Sequence, residues 1–246
     1  MDDSQVIEKL RSLCESHPNR GFDNYYLRIQ REGFKWARSR VLRVYREQGM
    51  VRRQKRRREL PDELRKPLIV PDILNEVWSM DFMSDSLIDG RTFRVLNIID
   101  DHNRESICIE GNISFPARRV IQALEIAVEE KGCPRFIRTD NGPEFISKEY
   151  KEWCKMNKII PVYSEPGKPM QNGFIERFNR TFREDVLDAY LFTSLAQFNV
   201  LAEKWQEDYN NFHPHKSLGN QSPKEYAPRG SKPLGLAPKA LREDYI

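Results

Sequence analysis

The chain has 246 residues, 39% hydrophobic and 32% charged, with a formal net charge of +4. That length accommodates one substantial core and a small accessory domain. No apolar run reaches about 18 residues, so no membrane span is implied, and the opening Met-Asp-Asp-Ser-Gln lacks the basic and apolar segments of a secretion signal. Cys14, Cys108, Cys133 and Cys154 are scattered without close pairing, as expected of reduced thiols in a cytoplasmic compartment. Cys14 and His17 have the spacing of half a zinc site, but no second half accompanies them, and ordinary surface or core residues are the simpler reading.

The first fifty residues read as helical. Asp3 or Ser4 can cap a helix that runs to about residue 15, with Val6, Ile7, Leu10 and Leu13 on one face. A His-Pro-Asn-Arg-Gly stretch breaks it, a second segment spans 24–31, and a third spans 37–48 before Gly49. Short helices divided by glycine turns fit a helix-turn-helix-like module, and fit a structural three-helix cap about as well. In the stretch 52–58, six of seven residues are basic: Arg52, Arg53, Lys55, Arg56, Arg57 and Arg58. Such a block favours a polyanion. Beside a helical module it points to DNA, with a solvated linker as the competing reading.

Strand patterns begin beyond a proline- and charge-rich linker. Residues 77–83 alternate, with Trp78, Met80 and Phe82 on one side; 93–99 and 106–110 supply two more strands that can pair antiparallel. A helix over 117–131 ends at Gly132 and Pro134. Then come a strand at 135–139, a turn at Asp140-Asn141-Gly142-Pro143, a helix at 148–156 and a strand at 159–163. A glycine-bearing loop, a helix over 172–187 and a last long helix over 196–211 complete the core. Three consecutive strands followed by strand–helix alternation predict an α/β domain with a mixed sheet flanked by helices.

Three acids stand out. Asp81 lies inside an otherwise apolar strand, where an ionised side chain is costly unless paired or metal-bound. Asp140 ends another strand. Glu176 lies one turn into a helix whose face continues at i+3, i+4 and i+7 with Asn179, Arg180 and Arg183. An acid followed by an amide and two arginines suits a metal site leading into a phosphate track. Phosphodiester cleavage needs an activated nucleophile, a stabilised leaving oxygen and charge neutralisation, which two Mg²⁺ ions supply. Mg²⁺ takes hard oxygen ligands and keeps several waters, so a few carboxylates suffice. The 35 residues between Asp140 and Glu176 are weak evidence alone: a turn aspartate and an exposed helix glutamate would look the same.

The surroundings of these acids carry a resemblance. Trp78-Ser79-Met80-Asp81-Phe82, Thr139-Asp140-Asn141-Gly142-Pro143-Glu144-Phe145, and the block from Pro166 through Lys168, Asn172 and Glu176 to Arg180 resemble the catalytic blocks of insertion-sequence transposases. The match is to the second open-reading-frame product (OrfB) of the insertion-sequence-three family, relatives of retroviral integrases. Asp208 to Gly219, followed by Ser222-Pro223, resembles that family's terminal block, with Phe212 where an arginine is expected. The resemblance implies a ribonuclease-H-like integrase core, with Asp81, Asp140 and Glu176 as catalytic acids and metal ligands. It also implies Mg²⁺-dependent nicking of element ends, with Mn²⁺ as a substitute, and strand transfer by the released 3′-hydroxyl. The implied partners are double-stranded DNA, further copies of the chain on that DNA, and an upstream OrfA protein joined by frameshifting. Retroviral integrases carry a His-His-Cys-Cys zinc domain; its absence from this sequence favours the bacterial transposase side.

The expected organisation is a helical DNA-binding module at 1–50, a basic linker at 51–71, the catalytic core at 72–229 and an irregular tail at 230–246. DNA contacts are expected from the basic block and from Lys168, Asn172, Asn179, Arg180 and Arg183. Asp100 and Asp101 compete as catalytic acids, but the family pattern favours a turn role for them. His213 and His215 fit either DNA contact or shaping of the last helix. Two other readings remain: a non-catalytic DNA-binding descendant, and a ribonuclease of the same fold.

Overall fold

The computed structural model describes residues 2–18, 20–50, 70–164 and 172–227. It opens with α1 (Ser4–Ser16), α2 (Phe22–Arg31) and α3 (Arg38–Glu47). Helices this short hold by burying a stripe against one another. Val6, Leu10 and Leu13 of α1 meet Tyr25 and Ile29 of α2 and Val41, Val44 and Tyr45 of α3 in one cluster. The basic block 52–58 and the tail 230–246 lie outside the described residues.

The core sheet has five strands. β1 (Val77–Ser86), β2 (Thr92–Asp100) and β3 (Ser106–Asn112) form an antiparallel meander. β4 (Phe136–Thr139) pairs parallel with β1, and β5 (Ile160–Tyr163) parallel with β4, giving the order β3-β2-β1-β4-β5. This is the mixed sheet expected from the sequence.

Strand alternation assigns the two faces. Trp78 and Met80 pack with α4 (Ala117–Lys131) and α6 (Lys148–Met156) in one cluster, and Phe82 packs against it. The opposite face carries Met83, Phe93, Val95 and Ile99, covered by α7 (Gly173–Phe182) and α8 (Leu195–Phe212). Asp81 therefore points toward the α7 side.

The structure departs from the expected elements in three places. A short helix, α5 (Pro143–Ile146), occupies part of the predicted turn, with proline in its first turn. The helix expected over 172–187 is α only to Phe182 and continues as a π-helical turn, Arg183–Leu187. There Asp185, Val186 and Leu187 are all buried in succession, which the 100° step of an α-helix does not accommodate on one face. Finally, a 3₁₀ turn (Lys216–Leu218) and α9 (Pro223–Tyr226), closed by a capping box, follow α8. No helix among the described residues is long and apolar enough to cross a membrane.

Candidate active site

Asp81 sits mid-strand on β1, Asp140 follows the last residue of β4, and Glu176 is in the first turn of α7. β1 and β4 are parallel neighbours, with Ser79 opposite Arg138, so both strands carry their acids toward the same end of the sheet. α7 lies across β1 and β2 and brings Glu176 over that end. The three acids share an electrostatic site. Burial pushes the Asp81 carboxyl up to about 6, and the nearby Asp140 and Glu176 charges push in the same direction.

The Asp81 carboxylate is held on both oxygens. Oδ1 accepts from its neighbour's backbone, Phe82 N–H (2.8 Å), and Oδ2 accepts from Asn179 Nδ2 (2.8 Å). Asn179 in turn accepts from Asn97 Nδ2 (2.7 Å). Sequence periodicity placed Asn179 on the Glu176 face as a DNA contact. The structure turns it inward: its side chain is buried and committed to Asp81 and Asn97, so it positions a carboxylate instead of reaching a phosphate.

Asp140 is exposed, and its Oδ1 accepts from Gly142 N–H (3.0 Å). A Cβ at Gly142 would lie 3.0 Å from Glu144 Oε2 and 3.1 Å from Asp140 Oδ1, so a larger residue there would crowd both carboxylates. Glu144 is ion-paired with Arg94, whose guanidinium lies 3.9 Å above the Phe82 ring. Sequence reasoning did not single out Asn97, Arg94 or Glu144. Glu144 was within the quoted Asp-Asn-Gly-Pro-Glu-Phe block, whereas Asn97 and Arg94 carry no local signal inside an ordinary β-strand.

The remaining expected contacts separate. Glu176 and Arg180 are exposed on α7. Arg183 donates to Ser84 O (3.0 Å) and pairs with Asp188. Asn172 caps the start of α7 without a side-chain cap bond. Lys168 and the six basic residues of 52–58 lie outside the described residues. Asp100 takes a turn role, accepting from Asn75 and His102 backbone N–H groups, while buried Asp101 pairs with Arg138 (2.9 Å) and Ser79. His213 stacks on Tyr209 with ring centroids 5.0 Å apart, and His215 packs edge-on against both; both rings shape the end of α8. His17 lies against Arg28 and Asp208, away from any zinc-like grouping with Cys14.

Among the described residues, no group of three or more His, Cys, Asp or Glu side chains is placed to hold a metal ion. The residues nevertheless fit Mg²⁺. Their donors are hard carboxylate oxygens, mutual repulsion at Asp81 is of the kind a divalent cation relieves, and an open donor set matches an ion that retains water.

Comparison with known proteins places the arrangement. Two integrase core domain families match residues 71–169 and 157–223. The 31.7 kDa insertion element IS407 protein of Burkholderia multivorans is 34% identical over 238 residues, covering 97% of this chain and 86% of its own length. The 39.2 kDa insertion element IS476 protein of Xanthomonas euvesicatoria is 34% identical over 219 residues, covering 89% of this chain and 63% of its own length. Among solved structures, the HTLV-2 integrase catalytic core domain in complex with magnesium superposes with TM-score 0.51 at 19% identity, over 65% of this chain and 99% of that one. The integrase of a simian T-cell lymphotropic virus intasome gives TM-score 0.54 at 17% identity, over 96% and 80%. These structural matches establish a ribonuclease-H-like fold.

Proposed function

The chain belongs to the insertion-sequence-three family of OrfB transposases built on an integrase core, and from that premise we propose that it nicks DNA at the ends of its element and joins the released 3′-hydroxyl to target DNA. The observation that carries this reading is the convergence of Asp81 on β1, Asp140 after β4 and Glu176 on α7 toward one end of the sheet.

In this reading Asp81, Asp140 and Glu176 hold two Mg²⁺ ions, with Mn²⁺ as a substitute. When bound, the ions activate the attacking oxygen and neutralise charge on the phosphate and leaving oxygen. The chain's own residues prepare the site. Phe82 N–H and Asn179 fix the Asp81 carboxylate. The Gly142 N–H orients Asp140. Arg180 on α7 and Arg183 in the π turn that follows it are assigned as phosphate contacts, joined by Asn172, Lys168 and the basic residues 52–58. The partner is double-stranded DNA, bound by more than one copy of the chain, with an upstream OrfA protein completing the active form. The helical module at 1–50 is assigned to DNA binding and 72–229 to catalysis.

Incubation with labelled element ends tests the proposal. Asp81→Asn, Asp140→Asn and Glu176→Gln each lower nicking and strand transfer by more than about 100-fold, beyond the loss typical of a mere supporting partner of a metal ligand, while circular dichroism stays native. Mg²⁺ and Mn²⁺ support cleavage, whereas Ca²⁺, with longer and looser coordination, permits binding with little cleavage. Undiminished cleavage in excess chelator refutes the metal-dependent reading. Cleavage confined to RNA–DNA hybrids reassigns the protein as a ribonuclease.

A further inference from the structure

α7 has a second face that mixes aromatic and polar side chains. Phe174, Arg177, Phe178 and Thr181 follow the same i, i+3, i+4, i+7 spacing as Glu176, Asn179, Arg180 and Arg183, offset by two residues and so on nearly the opposite side of the helix. They line a cavity of about 50 Å³ together with Arg104, Tyr209, His213, His215 and Ser217. A single water needs about 10–15 Å³ by this measure, so the cavity has room for a small polar group.

The lining carries two arginines, Arg104 and Arg177, beside two histidines. Arg104 is nearly fully buried, its guanidinium 3.6 Å from the Phe174 ring centroid, and its backbone is held at φ 64°. A non-glycine residue in that conformation is uncommon and costs energy. Among the described residues its guanidinium makes one hydrogen bond, a long 3.4 Å contact to His102 O, and neither Arg104 nor Arg177 forms an ion pair with a carboxylate, although the Asp101 and Asp100 charges act on Arg104. The acids of the same turn are engaged elsewhere, Asp101 with Arg138 and Asp100 with backbone N–H groups. His213 Nδ1 and His215 Nε2 are buried without partners. Burial pushes the Arg104 group down, against the Asp101 and Asp100 charges that push it up, and burial pushes His215 to about 3. A buried guanidinium at Arg104, an exposed one at Arg177 and imidazole nitrogens without hydrogen-bond partners among the described residues suit a compact anion that accepts several hydrogen bonds.

We propose that this cavity is an oxyanion site for a single phosphate group, gripped by Arg104 and Arg177 with the Ser217 hydroxyl at its rim. The phosphate is either a backbone phosphodiester of bound DNA or free phosphate. The DNA source rests on the function proposed above; the free-anion source does not. Arg177 follows Glu176 directly, so a bound phosphodiester would anchor the strand one residue around α7 from the catalytic acids.

Two arms test the site on the full-length chain. In the first, duplex DNA binding is followed by fluorescence anisotropy in chelator at several salt concentrations. Arg177→Gln weakens binding about tenfold, the scale of a lost charged hydrogen bond, and flattens the slope of log K against log salt by about 1. Arg177→Lys restores the slope. Ser217→Ala weakens binding about threefold with unchanged slope, and adds nothing in the Arg177→Gln background, because both groups hold one phosphate. In the second arm, inorganic phosphate raises the melting temperature of the wild type above a chloride control of equal ionic strength, and not that of Arg177→Gln. The first response assigns DNA as the source, and the second assigns free phosphate. Independent, additive effects of the two substitutions on DNA binding, with no phosphate response, overturn the site while leaving DNA binding by the protein standing. A wild type that responds to phosphate but binds no duplex overturns the DNA reading and keeps the site.

Discussion

Asp81 and Asn97 are directly opposite in the ladder between β1 and β2, so their side chains leave the sheet on one face. Asn179 descends from α7 onto both, donating to the acid and accepting from the amide. Its orientation is thus fixed: a flipped amide would lose both bonds. Asn179→Ala frees one Asp81 oxygen and leaves the Asn97 amide without its acceptor. Loss of a hydrogen bond that orients a metal ligand typically costs about 10–100-fold in metal affinity or activity. Nicking by this variant should fall by that amount at limiting Mg²⁺ and recover in part as Mg²⁺ is raised. A Mg²⁺ titration superimposable on the wild type would mean that Asn179 does not position Asp81. The residue-level signal in the sequence was half complete. The helical spacing gave the face shared with Glu176, but which members of that face turn inward depends on what lies beneath the helix.

At the level of elements, the sheet edge at β3 shows how α8 is seated. An edge strand exposes unpaired N–H and C=O groups, and here side-chain amides of α8 take the place of a sixth strand. Asn199 accepts from Gly111 N–H (2.8 Å) and donates to Gly111 O (3.2 Å), and Asn210 does the same for the Ser106 N–H and C=O (2.8 and 2.9 Å). Such close approach needs glycine at 111, since a Cβ there would overlap the Phe198 ring far inside van der Waals contact. Gly111→Ala should destabilise the fold by about 2 kcal/mol through overpacking. In a domain of this size that lowers the melting temperature by roughly 4–8 °C. An unchanged melting temperature would show that Phe198 has room to move. Periodicity located β3 and α8 well, because each pattern is contained in one stretch of chain. The π turn was not legible, because it answers to distant groups: Asp185 is drawn inside by Trp205 Nε1 (3.0 Å) and by Arg20.

Across the whole molecule, the N-terminal helices are tied to the core by charge. Arg28 donates to both oxygens of Asp208 (2.8 and 2.7 Å), and Arg31 reaches Glu225 and the carbonyls of Phe212 and Asn220. His17 completes the junction, its Nε2 3.0 Å from Arg28 Nη1. Burial first, and then the Arg28 charge, push His17 down to about 4. A neutral ring accepts the Arg28 bond, and protonation sets two cations against each other. Because the folded value lies below the unfolded one, the contribution to stability is complete above about pH 6.5 and is lost as pH falls toward about 4. A shift of that size corresponds to about 3 kcal/mol. His213 and His215 are displaced in the same direction by burial and steepen the loss. Melting temperature should fall markedly between pH 6.5 and 4, and His17→Gln should shallow that limb. An equally steep limb in His17→Gln would remove His17 from the acid response.

The sequence by itself determined most of the elements and pointed to three acids as the candidate site. Apolar periodicity, glycine and proline stops, and an aspartate set in an apolar strand are properties of short windows, and the surrounding blocks tied them to a family. Tertiary structure alone decided the partners. Asn97 and Asn179 meet across 82 residues of chain and Arg28 and Asp208 across 180. The chemistry of an asparagine or arginine is the same whether it faces solvent, a carboxylate or a phosphate. Only packing, by choosing which groups lose water together, turned one helix face into a support for Asp81 and another into the lining of a cavity.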